Sequence, residues 1–355
     1  LETDLNPNSL TGSITNIVTV YGTYNGIQVS NEDTLTVSVY RDAYKITITA
    51  ASGSKVYDGT PLTNNGYSIT DGTLASGHTL DAVTVAGSQT VVGSSDNVAS
   101  AAVILDGADN DVTANYDITY VDGTLTITAR PLTITAVNQS KTYGDTFVFD
   151  GTTPSDHFTV VGLVSGDSVT SVTLLSDGAA ASATVAGSPY AIVPSAAVGT
   201  GLGNYNISYV NGSLTVNPKA ASVTPDAKSK TYGDADPVLT GTLTGFLAAD
   251  GVTAEYSRAA GETVHGGPYL ISAVLSPSGV LSNYDITYNT ANFTINPASL
   301  TITALNQSKT AGTTFTFAGT EFSVVGLVYG NSVTSVTLTS DGAAAGATAG
   351  SYDIT

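Results

Sequence analysis

The chain contains no cysteine, methionine or tryptophan. Without cysteine it can form neither disulfides nor thiolate-bound metal sites. The missing sulfur residues also remove the side chains that oxidise most readily, which suits life outside the cell. Charge is scarce and one-sided: 10 Lys and Arg face 29 Asp and Glu, a formal net charge of −19. That balance repels phosphate backbones and argues against nucleic acid as a partner. No apolar run approaches the ~20 residues of a membrane helix, so no membrane-spanning segment is expected in this stretch. The sequence starts at Leu1 with neither initiator methionine nor signal peptide, and is read as processed or as a piece of something larger.

What is present points one way. At 355 residues the chain is long for a single core, so several domains are expected. Hydrophobic residues make up 41%, too many for a disordered acidic tail. Val, Ile, Thr and Tyr dominate, and the usual surface helix formers are scarce. The fold class is all-β.

A short phrase recurs. SKTYGD at 140–145 returns at 229–234, with a relative, SKVYDG, at 54–59 and a damaged copy, SKTAGT, at 308–313. A Gly/Pro/Tyr segment follows in GSPYAIV, GGPYLIS and GSYDIT, and then NYDITYVDGTLTI, NYNISYVNGSLTV and NYDITYNTANFTI. The lysines Lys55, Lys141, Lys230 and Lys309 are 86, 89 and 79 residues apart, and Asn115, Asn204 and Asn283 are 89 and 79 apart. Two landmarks in step define a folding module rather than a loose motif. The expected divisions are 1–42, a partial module; 43–129; 130–217; 218–296; and 297–355, an incomplete module.

Each landmark has a mechanical reading. In NYNISYVNGSLTV, Tyr205, Ile207 and Tyr209 alternate onto one face, and Asn211-Gly212 offers the φ > 0 pair of a tight hairpin, as Asp122-Gly123 does one module earlier. In the repeat motif, Gly144 and Gly233 allow a sharp bend, Asp145 and Asp234 accept hydrogen bonds in the turn, and Tyr143 and Tyr232 pack on their own module's core. The fourth copy puts Ala311 for Tyr and Thr313 for Asp, yet the sequence after it follows the second module closely. A catalytic motif cannot lose its ionisable groups and keep working, so the phrase is structural.

On these residues the KVYDGT module resembles the YDG repeat, and the KTYGD modules resemble the YGX-type MBG repeats of large bacterial surface proteins and adhesins. The similarity covers about residues 43–355. Residues 1–42, with Asn25-Gly26 between alternating runs, resemble the last strands of an Ig-like bacterial surface repeat. The resemblance implies an extracellular, cell-surface stalk or adhesin and transfers no ligand.

Short joints carrying Pro131, Pro218 and Pro297 suggest modules of ~80–90 residues stacked as a semi-rigid rod. Each module is either an Ig-like sandwich or a β-grasp with a short helix near GLVSGDSV, and nearest-neighbour contacts should let the parts fold independently. The expected partners are other modules of the same longer chain. Identical subunits are a further partner, completing the unfinished last module head to tail with their amino-terminal strands and so building a filament. A glycan or host surface is the third, with Tyr256 and Tyr269 as aromatic candidates.

Chemistry is sparse. No catalytic constellation and no cofactor motif is found. Asp106, Asp109 and Asp111 form the densest acidic stretch and would suit Ca²⁺, against a solvated loop. His78, His157 and His265 occupy non-equivalent places and read as isolated surface residues. An internal isopeptide staple would join Lys141 to Asn204, and by analogy Lys230 to Asn283, against ordinary salt bridges.

Overall fold

The computed structural model describes residues 12–24, 27–39 and 43–355, with side chains in the last span. Gly12–Tyr24 and Ile27–Val39 pair antiparallel along their whole length as a two-stranded sheet. The Asn25-Gly26 turn expected between them lies outside the described residues.

From Tyr44 onward one arrangement recurs. In 43–129, a three-stranded sheet runs Tyr67–Gly72, Tyr44–Ala50, Tyr116–Val121, and a four-stranded sheet runs Gly53–Val56, Gly123–Thr128, Gly93–Leu105, Thr79–Ala86. In 218–296 the orders are Gly241–Thr244, Lys219–Pro225, Tyr284–Tyr288 and Lys228–Thr231, Ala291–Asn296, Tyr269–Ser276, Thr253–Arg258. The strands of 130–217 repeat both orders. The two-sheet arrangement selects the sandwich-like alternative over the β-grasp. Only 3-10 turns interrupt the strands among the described residues, and GLVSGDSV forms a turn rather than a helix.

The closing segment is not a hairpin. Its first strand, such as Tyr116–Val121, runs parallel to the repeat's opening strand, and its second, Gly123–Thr128, runs parallel to the corner strand in the other sheet. The same parallel pairs form in 218–296. Alternation of apolar and polar residues is the same whether a strand turns back into its own sheet or crosses to another, so the pattern could not tell them apart. The glycine is needed for another reason than φ > 0: a Cβ on Gly212 would lie 2.5 Å from the Ala136 carbonyl oxygen, and one on Gly123 2.5 Å from that of Ala51.

Period-two burial fills the cores. Ile46, Ile48 and Ala50 point inward from the opening strand of 43–129, and Leu125 and Ile127 from its last strand. Val223, Phe293 and Ile295 take the places of Ile48, Leu125 and Ile127 in 218–296, and Ile271 joins them from the strand Tyr269–Ser276. In 297–355 the residues equivalent to buried Leu132 and Ile134 are Leu300 and Ile302, which are 47% and 42% exposed.

The chain divides into two compact units. The first runs to Thr135 and adds Gly151–Thr173 and Pro194–Val210; the second comprises Ala136–Asp150, Leu174–Val193 and Asn211–Thr355. The division passes through 130–217 and not through a junction between repeats. Inside the second unit, one apolar cluster takes Tyr143, Ala183 and Val216 from before Pro218 and Ala221 and Tyr284 from after it. The cluster therefore bridges the joint at Pro218, a nearest-neighbour contact of the expected kind.

Candidate functional site

The corner is built by backbone and lysine. Tyr143 N–H donates to the Asn217 carbonyl and Asp145 N–H to that of Thr142, closing a tight turn around Gly144 at φ +89°. Asp234 N–H closes the equivalent turn on Thr231, and Thr313 N–H on Thr310. Lys141 is buried; its Nζ donates to the Asp145 carbonyl at 2.8 Å and to the Ala180 carbonyl, tying the corner to the middle of its own repeat. Burial without a contacting carboxylate pulls this ammonium below the usual lysine range. Lys309 makes the same two bonds, to Thr313 and Ala344, although its corner has lost the tyrosine.

The tyrosine does something else. Its ring packs on its own repeat, Tyr143 beside Ala183 and Val216 and Tyr232 on the core of Ile271 and Phe293, and its hydroxyl reaches into the next repeat. In the first unit, Tyr57 Oη donates to Asp167 Oδ2 at 3.0 Å, and Tyr205 Oη donates to the same oxygen at 2.7 Å. The two rings meet edge to face, centroids 5.5 Å apart at 80°. In the second unit, Tyr143 Oη donates to both oxygens of Asp250 at 3.1 Å, Tyr284 Oη donates to Asp250 Oδ2, and the rings meet at 5.5 Å and 79°. Tyr57 and Tyr143 are only 7% and 5% exposed.

A third joint uses a neutral variant. Tyr232 meets Tyr329 edge to face at 5.4 Å and accepts from Asn331 Nδ2 at 3.1 Å. In all three joints the corner glycine abuts an aliphatic side chain of the next repeat. A Cβ on Gly59, Gly144 or Gly233 would lie 2.8 Å from Val164, Leu247 or Val328 respectively.

The receiving socket is equally regular. Asp167, Asp250 and Asn331 each close a turn by donating N–H to the carbonyl three residues earlier, at Val164, Leu247 and Val328. The N–H of Val164 and of Leu247 donates to the closing tyrosine, Tyr205 or Tyr284, at 2.9 Å. A 3-10 turn, Leu202–Asn204 or Ser278–Asn283, then presents an asparagine to the preceding repeat. Val92 N–H donates to Asn204 Oδ1 at 2.9 Å, and Val185 N–H donates to Asn283 Oδ1 at 3.0 Å.

Electrostatics follow from burial and the shared carboxylate. Removal from water first, and the adjoining Asp second, push the phenols of Tyr57, Tyr143 and Tyr205 above their ordinary range. The same causes push Tyr284 up to about 12 from 10.0.

The remaining sequence candidates fall elsewhere. Asp106 Oδ1 accepts from the N–H groups of Ala108 and Asn110, and Asp111 Oδ1 from that of Thr113; these bonds hold both carboxyls below the usual range. Asp109, at φ +62°, closes a turn on the Asp106 carbonyl. Among the described residues no set of three or more His, Asp or Glu gathers as metal ligands. For the isopeptide pairs, Lys141 faces backbone carbonyls while Asn204 and Asn283 receive the joint N–H groups. Lys230 Nζ lies 2.8 Å from Asp236 and also bonds Glu262, and Arg258 reaches both carboxylates. Hydrogen bonds in this network raise Lys230 above the usual lysine range and hold both acids below the usual carboxylate range, favouring the charged amine over the neutral nucleophile that attack on an asparagine amide uses.

Tyr269 is buried and Tyr256 is half-buried against the same core, so the two form no exposed aromatic cluster. His265 is exposed and His157 half-buried, but His78 is no isolated surface residue: its Nδ1 lies 2.8 Å from Tyr116 Oη, in the socket position of Asp167. The sockets Asp167, Asp250 and Asn331 escaped the sequence reading. The recurrence of GLVSGDSV as GLVYGNSV was the signal that could have found them.

Residues 132–215 and residues 221–294 each match the MBG domain (YGX type) family. Each of these stretches is similar to an MBG domain over nearly the whole of one repeat. The chain matches no curated protein.

Proposed function

We propose that this chain is a non-enzymatic, extracellular segment of a bacterial cell-surface adhesin, a multi-module stalk or fibre that spans distance. One observation carries the reading: a corner tyrosine reaches a socket in the next repeat three times, Tyr57 and Tyr143 on a carboxylate and Tyr232 on an amide. A stalk needs neighbouring modules coupled at every joint, and a buried ring with a charge-assisted hydrogen bond couples them with defined geometry. Similarity of 132–215 and 221–294 to a surface-protein module family supports it.

The test is exposure of the full chain to a glycan array and to immobilised host-surface proteins. The stalk reading expects silence. Binding that maps to one repeat would replace it with a receptor-binding role.

A further inference from the structure

We propose that the two carboxylate-centred joints are dityrosine cross-linking sites, in which one-electron oxidation couples Tyr57 to Tyr205 and Tyr143 to Tyr284 and closes each joint covalently. The proposal rests on joint geometry and does not depend on the stalk reading.

Three observations converge. Each pair brings two phenol hydroxyls onto one carboxylate, Asp167 or Asp250, so the hydroxyl ends of both rings are held at the same group. Ring centroids lie 5.5 Å apart in both pairs. The members of each pair come from different repeats, so a bond between them joins modules rather than stiffening one.

Composition directs the oxidation. The chain has 19 tyrosines and no cysteine, methionine or tryptophan to take the oxidising equivalents first. A radical formed on an exposed phenol such as Tyr288 meets other chains. One formed on Tyr57, Tyr143, Tyr205 or Tyr284, all buried, meets its joint partner.

The chemistry balances with a peroxide as oxidant. Each phenol loses one electron to the oxidant and one proton, which the adjoining carboxylate accepts and passes to water. The two phenoxyl radicals join at their ortho carbons, and the ortho hydrogens move to the oxygens to restore two phenols. Overall, two tyrosines and one hydrogen peroxide give one dityrosine and two waters.

The experiment oxidises the full chain at high dilution with a photo-activated ruthenium–persulfate system, isolates the monomer and maps peptic fragments by mass spectrometry. The expected products are fragment pairs lacking two hydrogens and joining Tyr57 to Tyr205 and Tyr143 to Tyr284, with dityrosine fluorescence in the monomer. Tyr143→Phe, which keeps the ring, abolishes the second cross-link and leaves the first, and protection of the Val185 amide from exchange shows that the second unit is still folded. Asp250→Asn, which cannot take the proton, lowers the yield of the second several-fold. Dityrosine confined to oligomers or to exposed tyrosines would overturn the proposal, and so would a 143–284 fragment pair that survives Tyr143→Phe.

Discussion

The Tyr143 hydroxyl donates to both carboxylate oxygens of Asp250, 107 residues further along the chain and in the next repeat. Tyr57 and Asp167 stand 110 apart in the same relationship. The recurring phrase therefore does two jobs. Lysine and glycine make the corner, and tyrosine reaches out of it. The copy at 308–313 separates them, because Lys309 and the Thr313–Thr310 turn keep the corner's form while Ala311 has no hydroxyl to send out.

Removing the hydroxyl and removing the ring should therefore cost different amounts. Tyr143→Phe deletes one donor to a carboxylate, a loss of about 1.5–3 kcal/mol. Tyr143→Ala also empties the space between Ala183, Val216 and Tyr284, at about 3–5 kcal/mol. Denaturant unfolding of the second unit should rank Ala below Phe below the parent.

Glycine at the corner can be tested against an internal control. Gly144 and Gly312 share positive φ, +89° and +85°, but a Cβ meets Leu247 at 2.8 Å in the first and open space in the second. Gly312→Ala should cost backbone strain alone. Gly144→Ala should cost about 1–3 kcal/mol more, from the forced retreat of the next repeat. Thermal midpoints of the two variants give the comparison.

Alkali should open the joints. A phenol whose folded pKa is raised favours the neutral form in the fold, so the unfolded chain ionises first and stability falls as pH climbs. For Tyr284 the window lies between its ordinary 10.0 and about 12. Tyrosinate absorbance should show the joint phenols titrating last, together with loss of protection at the Val185 amide.

Acid should act on a different place. Hydrogen bonds from Arg258 and Lys230 hold Asp236 low, and those from Lys230 and Arg258 hold Glu262 low. Stability from these acids is complete above their unfolded pKa of about 4 and is lost as pH falls through the folded values. Lys230, raised by the same partners, contributes below its unfolded value and withdraws only in strong alkali. Amide exchange around Phe293 and Ile295 should accelerate below about pH 4, ahead of that around Leu214 and Val216.

Much of this was legible in the sequence. Landmarks in step gave the repeats, alternation gave the inward faces of Ile46, Ile48, Leu125 and Ile127, and the lost ionisable groups at Ala311 and Thr313 marked the corner as structural. The joint was not legible, because its two halves lie over 100 residues apart and no local spacing links a tyrosine to an aspartate of the next repeat. Gly212 was misassigned because a glycine required for positive φ and one required for close backbone approach look identical in sequence. Tyr269 looked available because an aromatic residue on an alternating strand does not say which face is covered.

The most direct test is a double-mutant cycle on the joint, read at one proton. The Val185 amide donates across the joint to Asn283, so its exchange rate reports opening. If Tyr143 docks on Asp250, Tyr143→Phe and Asp250→Asn will each speed that exchange, and the double variant will fall short of additivity by about 0.5–3 kcal/mol. Val185 exchange unchanged in either single variant, or effects that add to within about 0.3–0.5 kcal/mol, would contradict the account.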